Sequence, residues 1–297
     1  GSCGHVQTTW PPSVEWDGTV PTVVGRPRTW RPRPPPAPRP RHTLSDMCGR
    51  YAAAKDQADL VLEFDVEVVA TAEPTRTVLV KPQDPPAGAP DYNVAPSKQA
   101  PVVLTRAPRG QSDEVPTRQL RLLSWGLVPS WAKDVKIGTR FINARAETAL
   151  TAGPFARAAL ARRCLVPADG WFEWQASPTV LDDRGKPRKQ PFFIHRGDRT
   201  PLAFAGFYEF WRDPAVSDRD DPLAWLTTFT IVTTAAEPGL DRIHDRQPLV
   251  LEPADWGSWL DPGLTDPDAV AGMLAFARAG RFAAYPVSTA VNGAAGN

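Results

Sequence analysis

The tetrapeptide Met47-Cys48-Gly49-Arg50 carries the most distinctive chemistry in this chain. Only two methionines occur, Met47 and Met273. The reading taken is that translation begins at Met47 and that aminopeptidase trimming, favoured by a small second residue, leaves Cys48 as the first residue of the mature protein. A cysteine in that position holds a thiol and a free α-amine on adjacent carbons. The amine titrates near about 8 and the thiol near about 8.5, so both are partly nucleophilic at neutral pH. Together they can trap an aldehyde: the amine forms an imine, and the sulfur then closes a five-membered thiazolidine.

Other chemistry-bearing groups recur in short motifs. Phe141-Ile142-Asn143-Ala144-Arg145-Ala146-Glu147-Thr148 sets an amide, a guanidinium and a carboxylate at alternate positions, which on a strand would share one face. Cys164-Leu165-Val166-Pro167-Ala168-Asp169-Gly170-Trp171-Phe172-Glu173-Trp174 flanks a carboxylate with aromatic rings. Desolvation there would raise the Glu173 pKa and make it a candidate proton donor. Ile243-His244-Asp245-Arg246-Gln247-Pro248 brings one imidazole. Tyr92-Asn93-Val94-Ala95-Pro96 is a turn after a proline-rich loop, and Trp125-Gly126-Leu127-Val128-Pro129-Ser130-Trp131 brackets a Gly/Pro turn with two indoles. Taken singly, each motif also fits satisfied core polar groups, turn residues or an aromatic core edge.

The elements that must position these groups read mostly as strands. Residues 102–104, 120–125, 191–194, 202–207 and 229–233 are short apolar or β-branched runs bounded by Pro, Gly and polar clusters. Helical patterns fall at 55–64, 154–161, 253–260 and 267–276; the third starts with Pro and acidic residues in its first turn. Strands and helices do not alternate regularly. The fold class expected is therefore α+β, an antiparallel barrel-like sheet with packed helices. Residues 74–90, 109–116, 177–189 and 213–221 are polar and turn-rich, and read as surface loops.

Composition bounds the rest. Residues 1–46 hold ten prolines and six arginines without apolar periodicity, as a disordered Pro/Arg-rich arm would, and are expected not to belong to the mature protein. Residues 47–297 fit one domain, or at most two small ones. Net charge is +1, and no run is long enough to span a membrane. Three scattered cysteines and four histidines make neither a disulfide framework nor a metal centre, which points to a reducing cytoplasm, no metal and no cofactor. Residues 101–163 carry eleven Lys and Arg against four Asp and Glu, and Arg184-Gly185-Lys186-Pro187-Arg188-Lys189 is a second basic cluster. Either reads as a solvated face, or as a basic face whose neighbouring tryptophans stack on exposed bases.

Met-Cys-Gly-Arg-Tyr, Tyr-Asn-Val-Ala-Pro, Trp-Gly-Leu-Val-Pro, Ile-Asn-Ala-Arg-Ala-Glu-Thr, Gly-Trp-Phe-Glu-Trp and Ile-His-Asp-Arg-Gln-Pro, in that order, resemble the SOS response-associated peptidase (SRAP) family from Met47 to about Asn292. The resemblance implies a sheet-centred α+β domain that recognises abasic sites in single-stranded DNA and couples to them covalently. It implies Cys48 as nucleophile, Asn143 and Glu173 as the amide and carboxylate that position it and move protons, and His244 near the sugar. Arg50 and Arg145 would contact phosphate, with Asn93, Pro96 and Trp125 completing the DNA-binding set. The expected partner is abasic single-stranded DNA, with no membrane; the protein would be a monomer, cytoplasmic and nucleoid-associated once crosslinked. One departure is the first 46 residues: while they remain attached, the Cys48 nitrogen is an amide and the ring cannot close. A second reading, a thiol peptidase using Cys48 with Glu173 and His244, would act at least on its own leader.

Overall fold

A computed structural model describes residues 49–107, 115–198, 200–218, 220–275 and 280–293. In chain order the elements are β1 (Arg50–Ala53), α1 (Gln57–Glu63), β2 (Val68–Val69), β3 (Asp91–Val94), β4 (Gln99–Arg106), β5 (Thr117–Trp125) and β6 (Asn143–Arg145). There follow α2 (Ala156–Ala161), β7 (Arg163–Ala168), β8 (Gly170–Leu181), β9 (Pro187–Arg196), β10 (Leu202–Arg212) and β11 (Trp225–Ala235). The last are β12 (Arg246–Pro248), β13 (Val250–Leu251), α3 (Pro253–Leu260), α4 (Pro267–Leu274) and β14 (Phe282–Pro286).

Strands β5, β4, β7, β10 and β11 pair in that order, and β11 returns to β5, which closes a five-stranded barrel. The closing pair is parallel and short, Thr228 beside Ser124 and Phe229 beside Trp125. The pairings of β2 with β5 and of β6 with β11 are parallel as well, whereas the other ladders are antiparallel, as expected. A second sheet, β14-β9-β8-β1-β3, lies across one end of the barrel. Its Tyr51 packs edge-on against Trp125 and Phe204, and its Trp171 against Phe204.

Period-2 alternation sorts the strand residues into two cores. Leu104, Leu123, Cys164, Val166, Phe204 and Phe229 join Tyr51, Trp171 and Ile194 in one. Val103, Leu120, Leu165, Ala205 and Phe207 face outward under the four helices, meeting Phe64, Trp256, Trp259 and Val270. The helix α3 begins with Pro253, as its first turn predicts, and its buried Trp259 donates its indole N–H to the Cys164 carbonyl at 2.8 Å. Arg163 is 4 % exposed and donates to the carbonyls of Ala159, Leu160, Trp259, Asp261 and Leu264, neutralising the C-terminal ends of α2 and α3.

Two sequence readings change here. Residues 177–189 are not a loop: β8 runs to Leu181 and β9 starts at Pro187, joined by a turn in which Asp182 Oδ1 accepts the Arg184 and Lys186 amides and Gly185 takes φ +71°. The polar composition of an exposed ribbon conceals its strand character. The charge excess of residues 101–163 is not gathered on one face: Arg163 is interior, Arg162 pairs with Glu209 at 2.6 Å, and Arg121 pairs with Glu73. Of the loop at 109–116, all but its last two residues lie outside the described residues, as does the whole of the 1–46 arm.

Candidate active site

Met47 and Cys48 lie outside the described residues, so the site is built from the groups around the start of β1. Glu173 sits on β8 opposite Phe192 of β9 and is 1 % exposed. Close pairing at this point needs Gly170, because a Cβ there would stand 2.4 Å from the Ile194 carbonyl oxygen. Strand alternation gives Glu173 the face of Trp171 and Phe192 and sends Phe172 and Trp174 to the other. Of the aromatic residues expected around Glu173, Trp171 alone shares its face; Phe172 instead meets Phe193 with centroids 5.0 Å apart.

His244 comes to the same region through Gln175, two residues along the face of Glu173. The Gln175 side-chain amide donates to the Arg242 carbonyl at 2.9 Å, which ties β8 to the loop that carries His244. The imidazole is 12 % exposed, and its Nδ1 accepts the Arg246 amide at 3.1 Å. The same nitrogen also lies 3.3 Å from the Arg246 carbonyl oxygen and 3.3 Å from Asp245 Oδ1, so the Nδ1 edge is held by the loop itself.

Asn143 is 7 % exposed and opens β6, beside Ile231 of β11. The residue before it is fixed by two donors on one carbonyl: the Trp125 indole N–H at 2.9 Å and the Ile231 amide at 3.1 Å reach the oxygen of Ile142. Trp125 itself is 2 % exposed. Its ring faces Tyr51 and Phe229, so it serves the site by holding Ile142 and Asn143, not by offering a surface to a base. The solvent-facing indole of that motif is Trp131, at 61 % exposure. The turn between the two is possible because Gly126 (φ +122°) and Gly138 cross backbone to backbone; a Cβ on either would stand 2.7 or 2.6 Å from the other's carbonyl oxygen.

Asn143, Arg145 and Glu147 do not share a strand face. β6 ends at Arg145, and Ala146–Thr148 turns into a 3₁₀ helix. Glu147 receives both terminal nitrogens of Arg246, at 2.6 and 2.9 Å, and this hydrogen bonding holds its carboxyl below the usual range. Arg145 is exposed at the strand end, placed to meet an anion from solvent.

Arg50 and Asn93 meet on the face of the second sheet opposite Glu173. The Arg50 guanidinium donates to Asn93 Oδ1 at 3.1 Å and to the carbonyls of Val291 and Asn292 at 3.0 and 3.3 Å; partial burial lowers its pKa. The Asn93 amide nitrogen donates to the carbonyls of Val291 and Gly293 at 3.1 and 2.8 Å. The Trp174 indole donates to Asn292 Oδ1 at 2.8 Å. The late strap Thr289–Asn292 therefore binds two predicted DNA contacts, a role its residue types did not announce. Pro96 lies in the following turn, where Ser97 takes φ +76° and the Lys98 amide donates to Ala95 O. Among the described residues no three His, Cys, Asp or Glu gather as a metal site, and no helix is long and apolar enough to cross a membrane.

The sequence pattern described as SOS response associated peptidase (SRAP) matches residues 47–294. The abasic site processing protein YoqW of Bacillus subtilis is 36 % identical over 248 residues, covering 83 % of this chain and 94 % of the relative. YedK of Escherichia coli, described in the same words, is 33 % identical over 252 residues, covering 82 % and 94 %. A crystal structure of a protein from Bacteroides thetaiotaomicron superposes with a TM-score of 0.60 at 22 % identity, over 82 % of this chain and 93 % of that one, a likeness of fold.

Proposed function

The chain belongs to the SRAP family, and from that premise we propose that it senses abasic sites in single-stranded DNA and crosslinks to them through Cys48. The observation that carries this reading is a buried carboxylate, Glu173, on the strand that pairs with the start of β1, with Gln175 of the same strand tied to the loop that carries His244. Relatives described as abasic site processing proteins support it.

The chemistry follows from the groups present. An abasic deoxyribose opens to an aldehyde as the C1′–O4′ bond breaks: the C1′ hydroxyl gives up its proton as its oxygen becomes the carbonyl, O4′ takes one up, and His244 relays it. The Cys48 amine nitrogen adds to C1′ and gives a carbinolamine. Loss of water breaks the C–O bond and needs a proton on the departing oxygen, which Glu173 donates; nitrogen's lone pair forms the C=N bond. The Cys48 sulfur then adds to that carbon, the C=N electron pair returns to nitrogen, the thiol proton goes back to the Glu173 carboxylate, and the thiazolidine closes. Asn143 holds the nucleophile in line, while Arg145 and Arg50 fix the flanking phosphates. The reacting species is the chain whose first residue is Cys48, because an amide nitrogen at that position cannot form the imine.

The test is incubation of protein beginning at Cys48 with single-stranded DNA bearing one abasic site, followed by a denaturing gel. A stable shifted band is expected, absent for Cys48→Ser. Cleavage of a peptide without any shifted band would overturn the reading in favour of a thiol peptidase.

A further inference from the structure

The two strands that frame Glu173 do not end at the body of the domain. β8 runs on to Leu181 and β9 begins at Pro187, and from Ala176 and Lys189 outward the ribbon is exposed except for half-buried Ser177. Four hydrogen bonds close its turn. The Asp182 amide donates to the Lys186 carbonyl at 2.7 Å, the Gly185 amide to the Asp182 carbonyl at 2.9 Å, and Asp182 Oδ1 accepts the Arg184 and Lys186 amides. The ribbon therefore presents its side chains from a fixed backbone.

It carries the basic cluster that the crosslinking chemistry does not use. Residues 182–189 hold four Lys and Arg against two Asp. Lys189 has an interaction of its own, but Arg184, Lys186 and Arg188 are exposed and form no ion pair among the described residues. Alternation along β9 puts Arg188 on the face of Gln190 and Phe192, and Phe192 stands opposite Glu173. From Phe192 to Arg188 the strand advances roughly 13 Å at the usual rise. Arg242, also exposed, stands at the inner part of that face: its carbonyl accepts the Gln175 amide at 2.9 Å and its guanidinium is 6.0 Å from the Phe192 ring centroid. Cations thus follow the ribbon outward from beside Phe192, at Arg242 and then Arg188, with Lys186 and Arg184 at the turn.

We propose that the β8–β9 ribbon is a second contact for the DNA strand, holding phosphates on one side of the lesion about four to eight nucleotides away. This rests on the reading that Glu173 acts on an abasic site in single-stranded DNA. The partner follows from charge and spacing. A polyanion with a charge at every nucleotide meets separate cations along an extended line, which a small anion cannot do. At roughly 3.4 Å per nucleotide, 13 Å reaches about the fourth phosphate, and the turn after Leu181, roughly 26 Å along β8 from Glu173, reaches about the eighth. Arginine and lysine on phosphate fix position without reading sequence, so the ribbon sets the length of strand recognised and not its bases.

The test uses protein beginning at Cys48, which contains both packed cores. It is titrated against fluorescent single strands carrying a tetrahydrofuran abasic analogue, which cannot react, and anisotropy reads the affinity. One strand has about ten nucleotides on each side of the lesion and the other about two. The double variant Lys186→Gln/Arg188→Gln should weaken binding of the long strand about ten-fold and leave the short strand within about two-fold. Loss of two phosphate contacts should also reduce the slope of log affinity against log salt by about 1.4 for the long strand. Arg157→Gln, which removes an exposed charge from α2, should leave both affinities unchanged. Cooperative urea unfolding checks that each variant is folded. An unchanged affinity for the long strand, an equal loss on the short strand, or an equal loss in Arg157→Gln would each overturn the proposal. The crosslinking rate at saturating abasic DNA is read alongside and should be the same in wild type and ribbon variant. Failure of the crosslinking chemistry shows only in that rate, because binding to the analogue needs no reaction.

Discussion

Two carboxylates compete for the part of proton donor, and their surroundings separate them. Glu173 is enclosed on a strand of the second sheet, while Glu147 is held ionised by the two-pronged contact with Arg246. Glu173→Gln keeps the size and removes the titratable proton, so the crosslinking rate at saturating DNA should fall by about 10²–10⁴-fold with little change in affinity for an unreactive abasic analogue. Glu147→Gln should crosslink at close to the normal rate; a dead Glu147 variant beside a normal Glu173 variant would show that the acid has been assigned to the wrong residue. The thiols separate in the same way. Burial of Cys164 raises its pKa well above the ordinary thiol value and removes it from solvent, so brief native alkylation near pH 7.5 should leave it unmodified, as peptide mass mapping would show. Rapid labelling of Cys164 would contradict the packed barrel interior described here.

At the scale of elements, the strap Thr289–Asn292 has a function that can be measured apart from chemistry. Asn292→Ala removes the acceptor for the Trp174 indole and loosens the carbonyls that hold Arg50 and Asn93, a loss of about 0.5–1.5 kcal/mol. The DNA concentration for half-maximal crosslinking should rise about three- to ten-fold while the rate at saturation stays unchanged, and Asn292→Asp, which keeps the oxygen, should restore it. A fall in the saturated rate alone would refute this positioning role. This strap also marks where sequence reading stops. The five apolar runs and the helix after Glu252 were legible because period-2 patterning and a first-turn proline are local signals. Glu173, His244 and Asn143 stand out in the sequence by residue type, and the second-sheet face of Glu173 follows from alternation once β8 is placed. The strap's contacts are backbone carbonyls some two hundred residues from their donors, and carbonyls carry no side-chain signature. Trp125, which the resemblance placed among the DNA contacts, is drawn inside by its hydrogen bond to Ile142, and no local pattern announces that bond. The ribbon at 177–189 was hidden by polar residues suited to a strand with solvent on both faces.

The whole molecule is held together at the junction of the two sheets by a charged cluster remote from the chemistry. Arg196 of β9 donates to Asp198 at 2.7 Å and to Glu252 at 2.9 Å, and Arg281, just before β14, donates to Glu252 as well. Glu252 immediately precedes α3, so the cluster joins the second sheet to the helix layer over the barrel. Burial alone would raise the Glu252 carboxyl, but hydrogen bonds from Arg196 and Arg281 outweigh it and hold the pKa below the ordinary value. Asp198 is held lower still, first by Arg196. For both, the native value lies below the unfolded value of about 4, so the unfolded chain binds more protons between the two. Stability from these groups is therefore fully present above the unfolded pKa and is lost as pH falls through the native one. Glu252→Gln should lower stability by about 1–3 kcal/mol at pH 7, since it leaves two part-buried guanidiniums short of their carboxylate. The deficit should shrink as pH falls through the native Glu252 value and the wild type itself becomes protonated, so the two proteins converge on the acid side. Urea unfolding from pH 7 to pH 3 measures both curves. A deficit that stays constant across that range would show that Glu252 contributes by packing alone and that the cluster does not set the acid limit of the fold.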